Sequence, residues 1–394
     1  MTKPYSCATN SPPAMHALPA KLKNRWSLGH NYLAGITAGD WMRLLRENRF
    51  SVDGAYWHRA AFITLSSMMN SIHRVREQRR FDSLVAGTEV APPLFILGHW
   101  RTGTTHLHNL FALDTDQFAF ANTYQVVNPH TFLTTEAVNT RRFAWMIPDK
   151  RPMDNMALSF EAPQEDEFAP CLMTLRSLYL GISFPRREEN YDRYLTFRGV
   201  PREEVEGWKT AFLWFLKKLT FKHQKPLVLK SPPHTARIRL LLEMFPGARF
   251  IHIHRHPYAV FRSFRHYFDT AAWYAYLQRP DLSTLDDRII ERYNTLHDAF
   301  FEERSLIPED RFHEIRFDDL ERDPMGQMKQ TYEKLGLPGF DGFAPKLQRY
   351  VATLSDYRKN EFPRLDAVAR QKVSRAWHRS FEAWGYPLSD EKIH

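Results

Sequence analysis

One stretch of this chain, Gly98-His-Trp-Arg101-Thr102-Gly103-Thr104-Thr105, has the residue types and spacing to hold an anion. Four apolar residues precede it, Leu94 to Leu97, and read as a buried strand. Leu107, Leu110 and Phe111 follow it on one helical face. Strand, glycine loop and helix in that order make a phosphate-binding loop, in which N–H groups at a helix N-terminus cradle the anion. The nucleoside-triphosphate version reads G-x-x-x-x-G-K-[ST]. Gly98, Gly103 and Thr105 fit it, but Thr104 stands in the lysine position and Arg101 supplies the cation instead. The loop is predicted to bind a phosphate-like group without hydrolysing a triphosphate.

Two more strand ends carry chemistry. Pro226–Lys230 runs into Lys230-Ser231-Pro232-Pro233-His234, and Arg249–His254 runs into Arg255-His256-Pro257. Ser263 lies eight positions after Arg255. It sits six helical steps beyond Pro257, ~9 Å of rise, so Arg255 can fold back and share one phosphate with it. Ligands of parallel sheets bind at the carboxyl ends of the strands. Gly98, Lys230 and Arg255 are therefore predicted to line one rim with two separated anion sites.

The elements that place this rim are short strands alternating with helices, which means a parallel sheet with crossovers. The expected fold class is α/β, a P-loop-type parallel sheet flanked by helices and preceded by a helical extension. Residues 1–24 read as a flexible leader, 25–90 as the extension and 91–394 as the P-loop-like domain. In the extension, helices are expected over Asp40–Asn48 and Tyr56–Arg80, with Phe62, Leu65, Met69 and Ile72 as periodic apolar positions. The proline-punctuated middle, Asn128 to Pro201, reads as irregular with one helix near Glu165–Leu175. Further helices are expected over Arg202–His223, His234–Met244 and Leu285–Ser305, a strand over Arg311–Phe317, and two or three helices after it.

These motifs resemble the sulfotransferases that use 3′-phosphoadenosine 5′-phosphosulfate (PAPS), and most closely the bacterial branch that itself resembles tyrosylprotein and carbohydrate sulfotransferases. The resemblance covers roughly Pro93 to Leu337 with a gap in the middle, and includes the segment Phe312-His-Glu-Ile-Arg-Phe-Asp-Asp-Leu-Glu-Arg-Asp-Pro324. It implies that Arg101, Thr102, Gly103, Thr104 and Thr105 hold the 5′-phosphosulfate, that Arg255 and Ser263 hold the 3′-phosphate, and that Lys230 neutralises charge at the transferred group. His256 departs from the Asn or Asp common before the proline. The N-terminal helices look like an addition seen in part of the branch, and Arg358 and Lys359 resemble a late basic segment that covers the cofactor.

The residues support this reading independently. A P-loop NTPase needs its lysine beside the phosphates and a strand-end carboxylate for Mg²⁺. Here Thr104 and Arg255 occupy those places, so a metal-free sulfuryl transfer is expected. Transfer to a hydroxyl or amine needs in-line positioning, a base, and cations for the leaving phosphate. Arg101 and Lys230 are the candidate cations. The acidic cluster Glu161-Ala-Pro-Gln-Glu165-Asp166-Glu167 is the candidate source of the base, with Glu165 preferred and Glu167 next; the alternative is charge complementing a helix dipole. His99 and His234 are rivals, while His106 and His108 read as packing residues. A P-loop kinase and a non-catalytic nucleotide-binding protein are the competing readings.

Composition bounds the rest. The chain has 394 residues, 43% of them hydrophobic and 25% charged, a net charge of +9 and only two cysteines, Cys7 and Cys171. That fits a globular protein of a reducing, cytoplasmic compartment without a disulfide framework or metal-ligand spacing. Arg74, Arg76, Arg79 and Arg80 read as a solvated helix face, and no nucleic-acid module is present. No apolar run is long enough to span a bilayer, though the charge suits peripheral contact with an anionic membrane. Trp377, Phe381 and Trp384 read as helical core. The acceptor is open among small molecules, lipids and carbohydrates, and the oligomeric state is silent.

Overall fold

Leu94–Leu97 is buried at every position because it is the centre of a parallel sheet. In a computed structural model describing residues 22–28, 31–143, 159–354 and 362–389, five strands are seen. They are β1 (Leu94–Leu97), β2 (Ala119–Phe120), β3 (Leu227–Lys230), β4 (Arg249–His254) and β5 (Phe312–Arg316), in the order β2-β3-β1-β4-β5. Leu94 pairs with Val228 on one side and with Arg249 on the other. Alternate residues serve opposite faces, as the strand period of two requires. Phe95, Leu97, Leu229 and Phe250 enter the larger core, and Leu94, Ile96, Val228, Ile251 and Ile315 enter the smaller one. The α/β parallel architecture expected from the sequence is the one found.

All five carboxyl ends point the same way, so Gly98, Lys230, Arg255 and Phe317 come together beyond the sheet. Arg202–His223 and the helix opening at Pro257 form as expected. The N-terminal helices Ala38–Glu47 and Trp57–Ala86 pack into the same core as the sheet, through Trp41, Leu44 and Ile63. Trp377, Phe381 and Trp384 are buried, with Trp377 at the junction between the helices Ala367–Ala376 and His378–Ala383. Arg76, Arg79 and Arg80 are solvated, as expected. Cys7, Arg358 and Lys359 lie outside the described residues.

Several expectations are corrected. Among the described residues the middle holds more than one helix: Phe132–Arg142, Leu180–Ser183 and Glu188–Asp192 are helical besides Phe168–Thr174. Short, proline-flanked helices carry too few turns to show a period. The strand β2 went unseen for the same reason, being two residues long. His234–Met244 is broken into a 3₁₀ turn, Pro232–Ala236, and an α-helix, Ile238–Met244. Five helices, not two or three, follow β5 among the described residues. Leu65, Met69 and Ile72 of the long N-terminal helix face solvent, while Arg59, Ile63, Ser67, Glu77 and Val85 are its buried residues.

Several histidines are buried. Burial pushes His99, His108 and His254 down to about 3. In the unfolded chain they titrate near 6.5, so between these limits the unfolded state binds more protons. Their stabilising contribution is complete above about pH 6.5 and is lost as pH falls toward 3, at about 1.4 kcal/mol per pH unit for each ring. Thermal melts should therefore show a steep drop in melting temperature from pH 7 to pH 4.5; a flat profile would contradict the assignment of neutral buried rings.

Candidate active site

The loop after β1 is shaped by its glycines. Gly98 has φ +146°, and a Cβ there would lie 2.5 Å from the Ile253 carbonyl oxygen. Gly103 has φ +100°, and a Cβ would meet the Phe317 ring at 2.2 Å. Gly103 also caps the helix Thr104–Ala112 without a side chain, leaving the first-turn N–H groups open to an anion. Thr235 pins the loop's entry, its Oγ1 accepting from the Gly98 N–H at 2.8 Å.

Arg101 adopts φ 73°, a left-handed conformation that is costly for a residue with a Cβ. Its Nε donates to Ser263 Oγ at 2.9 Å, which draws the guanidinium across to the helix Pro257–Thr270. Arg255 lies over the Phe317 ring at 4.4 Å, and its buried Nε has no partner. Burial, and then the neighbouring Arg101, lower the pKa of Arg255. Two neighbouring guanidiniums, one with an unsatisfied donor, beside open helix N–H groups could hold a phosphate-bearing ligand. The structure thus brings Arg101, Arg255 and Ser263 into one group, where the sequence reading had assigned them to two sites.

The second half of the site is an acid–base cluster. Lys230 is buried at the end of β3, and its Nζ donates to Glu165 Oε1 at 3.0 Å and toward Thr105 Oγ1 at 3.5 Å. Glu165 Oε2 accepts from the Tyr179 hydroxyl, which in turn accepts from Trp100 Nε1 at 3.3 Å. Burial and the adjacent Glu165 raise the Tyr179 pKa well above its ordinary value, so the phenol keeps its proton and donates. Trp100 stacks on Phe264, and Phe168 packs against Tyr179 at 4.8 Å, which gives the cluster an aromatic wall.

The other acids of the cluster have different work. Asp166 is fully buried against His234 Nε2. Glu167 is fully buried in a two-pronged bond with Arg237, at 2.7 and 3.1 Å, and also accepts from Ser177 Oγ. Ser231 Oγ accepts from the Glu167 N–H at 2.9 Å. These partners engage the side chains of Glu167 and His234 in the core, and the cluster lies at the N-terminus of the helix that begins at Phe168. His99 is buried with Nδ1 on the Trp100 carbonyl, so it packs the loop rather than facing ligand. His108 is buried against Phe120, as expected for a packing residue.

Sequence reasoning missed Trp100, Tyr179, Thr235 and Arg237. The signal for Arg237 and Thr235 was their place in the run Lys230-Ser-Pro-Pro-His-Thr-Ala-Arg237, every polar residue of which contacts the acidic triplet or the loop. Tyr179 carried no spacing signal. Breaking the pair by Glu167→Ala strands the buried Arg237 cation and should cost about 3–5 kcal/mol of stability. Denaturant unfolding checks this; a loss under about 1 kcal/mol, the range of an exposed pair, would contradict the buried clamp.

Comparisons with known proteins give the family and the fold. Residues 92–342 match the family described as Sulfotransferase family. The chain is 40% identical over 353 residues to omega-hydroxy-beta-dihydromenaquinone-9 sulfotransferase Stf3 of Mycobacterium bovis and of Mycobacterium tuberculosis, covering 89% of this chain and 90% of theirs. Among solved structures, sulfotransferase STF9 from Mycobacterium avium superposes with a TM-score of 0.63 at 17% identity, over 91% of this chain and 98% of that one. Sulfotransferase STF1 from Mycobacterium tuberculosis gives 0.62 at 15%, over 90% and 94%, and with STF9 shares the fold. This chain belongs to the sulfotransferase family and is a sulfotransferase.

Proposed function

We propose that the sulfuryl donor is PAPS and that the acceptor is a hydroxyl on a lipid of the menaquinone class. The observation that carries the reading is the Glu165–Lys230–Thr105 contact at the mouth of the anion loop. Arg101, Thr102, Gly103, Thr104 and Thr105 would hold the 5′ side of the donor, and Arg255 and Ser263 the 3′-phosphate. The unpartnered Arg255 Nε and the open N–H groups at Thr104 suit those anions. When bound, PAPS supplies the sulfuryl group and a stable phosphate leaving group.

The chain's own residues do the rest. Glu165 accepts the proton of the acceptor hydroxyl, worth about 10²–10⁴ in rate for a positioned base. Tyr179 and Lys230 hold the carboxylate by one oxygen each, fixing its direction. As Glu165 takes up the proton, the Lys230 ammonium is released to stabilise negative charge developing on the donor side. Arg101 does the same from the loop. Trp100, Tyr179, Phe168 and Phe264 offer an apolar wall beside Glu165 that suits a lipid better than a sugar. The similarity to Stf3 over most of both chains supports the same acceptor class.

Calorimetry without added metal should show adenosine 3′,5′-bisphosphate binding in preference to ATP. Arg255→Ala should weaken it about 10- to 100-fold, the loss of a charge-assisted bond. Preference for ATP with Mg²⁺, or indifference to Arg255, would overturn the donor. Label transfer from PAPS to an omega-hydroxylated menaquinone, and not to a sugar, tests the acceptor.

A further inference from the structure

The helix Trp57–Ala86 carries apolar residues on both faces. Its inward face buries Ile63 and Val85 together with Arg59, Ser67 and Glu77. Its outward face exposes Trp57 (68%), Leu65 (67%), Met68, Met69, Ile72 and Val75. At 100° per residue these positions fall within one third of the helix circumference. The stripe runs from 57 to 75, ~27 Å of rise. Soluble proteins seldom leave so continuous an apolar stripe uncovered.

Charge says what covers it. Between Trp57 and Phe81 the one acid is Glu77, and it is buried against Lys218 and the Thr134 N–H. From Trp57 to Phe81 the outward face therefore carries no negative charge, and the next acid, Asp82, is half-buried and lines a pocket with Glu77 and Lys218. The outward face continues past Val75 into the exposed Arg76, Arg79 and Arg80. Apolar side chains, tryptophan at one end and arginine at the other describe a helix lying in the plane of an anionic membrane interface. The tryptophan end leads to the site. Trp26 packs on His58, Lys23 pairs with Asp269, and Asp269 belongs to the helix that carries Ser263 and Phe264.

We propose that the outward face of Trp57–Ala86 is a docking surface for an anionic lipid bilayer, which presents the membrane-resident acceptor to the aromatic side of the active site. The surface stands on its own residues, and only its purpose rests on the lipid-acceptor reading. Binding is therefore tested without donor or acceptor, by co-sedimentation with vesicles of phosphatidylcholine containing phosphatidylglycerol and with phosphatidylcholine alone. The wild-type chain should bind the anionic vesicles preferentially. Leu65→Ser with Ile72→Ser should weaken binding at least about tenfold, as apolar area leaves the interface. Arg76→Ala with Arg79→Ala should weaken it at least about tenfold, near fivefold for each charge removed. Both variants should melt as the wild type does, since the changed residues touch solvent. Absence of vesicle binding, binding unchanged in both variants, or a concentration-dependent dimer abolished by Leu65→Ser with Ile72→Ser in place of vesicle binding would each overturn the proposal. A sugar acceptor would sink the acceptor reading and leave the vesicle result standing.

Discussion

Asp166 and Glu167 are fully buried carboxylates, and burying a carboxylate costs several kcal/mol unless a partner satisfies it. His234 and Arg237 are those partners, both from the turn after β3. The same turn supplies Ser231 to the Glu167 N–H and Thr235 to the Gly98 N–H. One eight-residue segment, 230–237, thus ties the acidic triplet to the phosphate loop. Misplacing it would leave two charges unpaired in the core, so the fold tolerates only the arrangement in which Glu165 emerges beside Lys230.

The partners differ along these three consecutive residues. Asp166 and Glu167 hold the backbone, and Glu165 is left with solvent access and three polar neighbours, Lys230, Tyr179 and the Gln164 side chain. The arginine pair is organised in the opposite sense. Arg101 and Arg255 repel each other, and Arg101 keeps a left-handed backbone. An anion beside either guanidinium would offset that repulsion.

The sheet and the rim were legible because they rest on local signals. Leu94–Leu97 and Arg249–His254 are apolar runs bounded by breakers, and Pro257 marks a helix start. Glu165 was preferred over Glu167 from the acidic cluster, but the partners that set its neighbours apart, His234 on Asp166 and Arg237 on Glu167, were not legible. Those contacts span 68 residues for Asp166–His234 and 70 for Glu167–Arg237, distances that no periodicity encodes. Periodicity misled at Leu65, Met69 and Ile72, where a regular apolar stripe faces outward. Pattern shows that residues share a face, while the position of the core decides which way that face turns.

The account stands on Glu165 being the base. Single-turnover transfer, with donor preloaded and acceptor saturating, measures it most directly in Glu165→Gln, which keeps the shape and removes the basicity. The rate should fall about 10²–10⁴-fold, with adenosine 3′,5′-bisphosphate affinity and melting temperature unchanged. A rate within about tenfold of the wild type would assign the proton to another group and contradict the account.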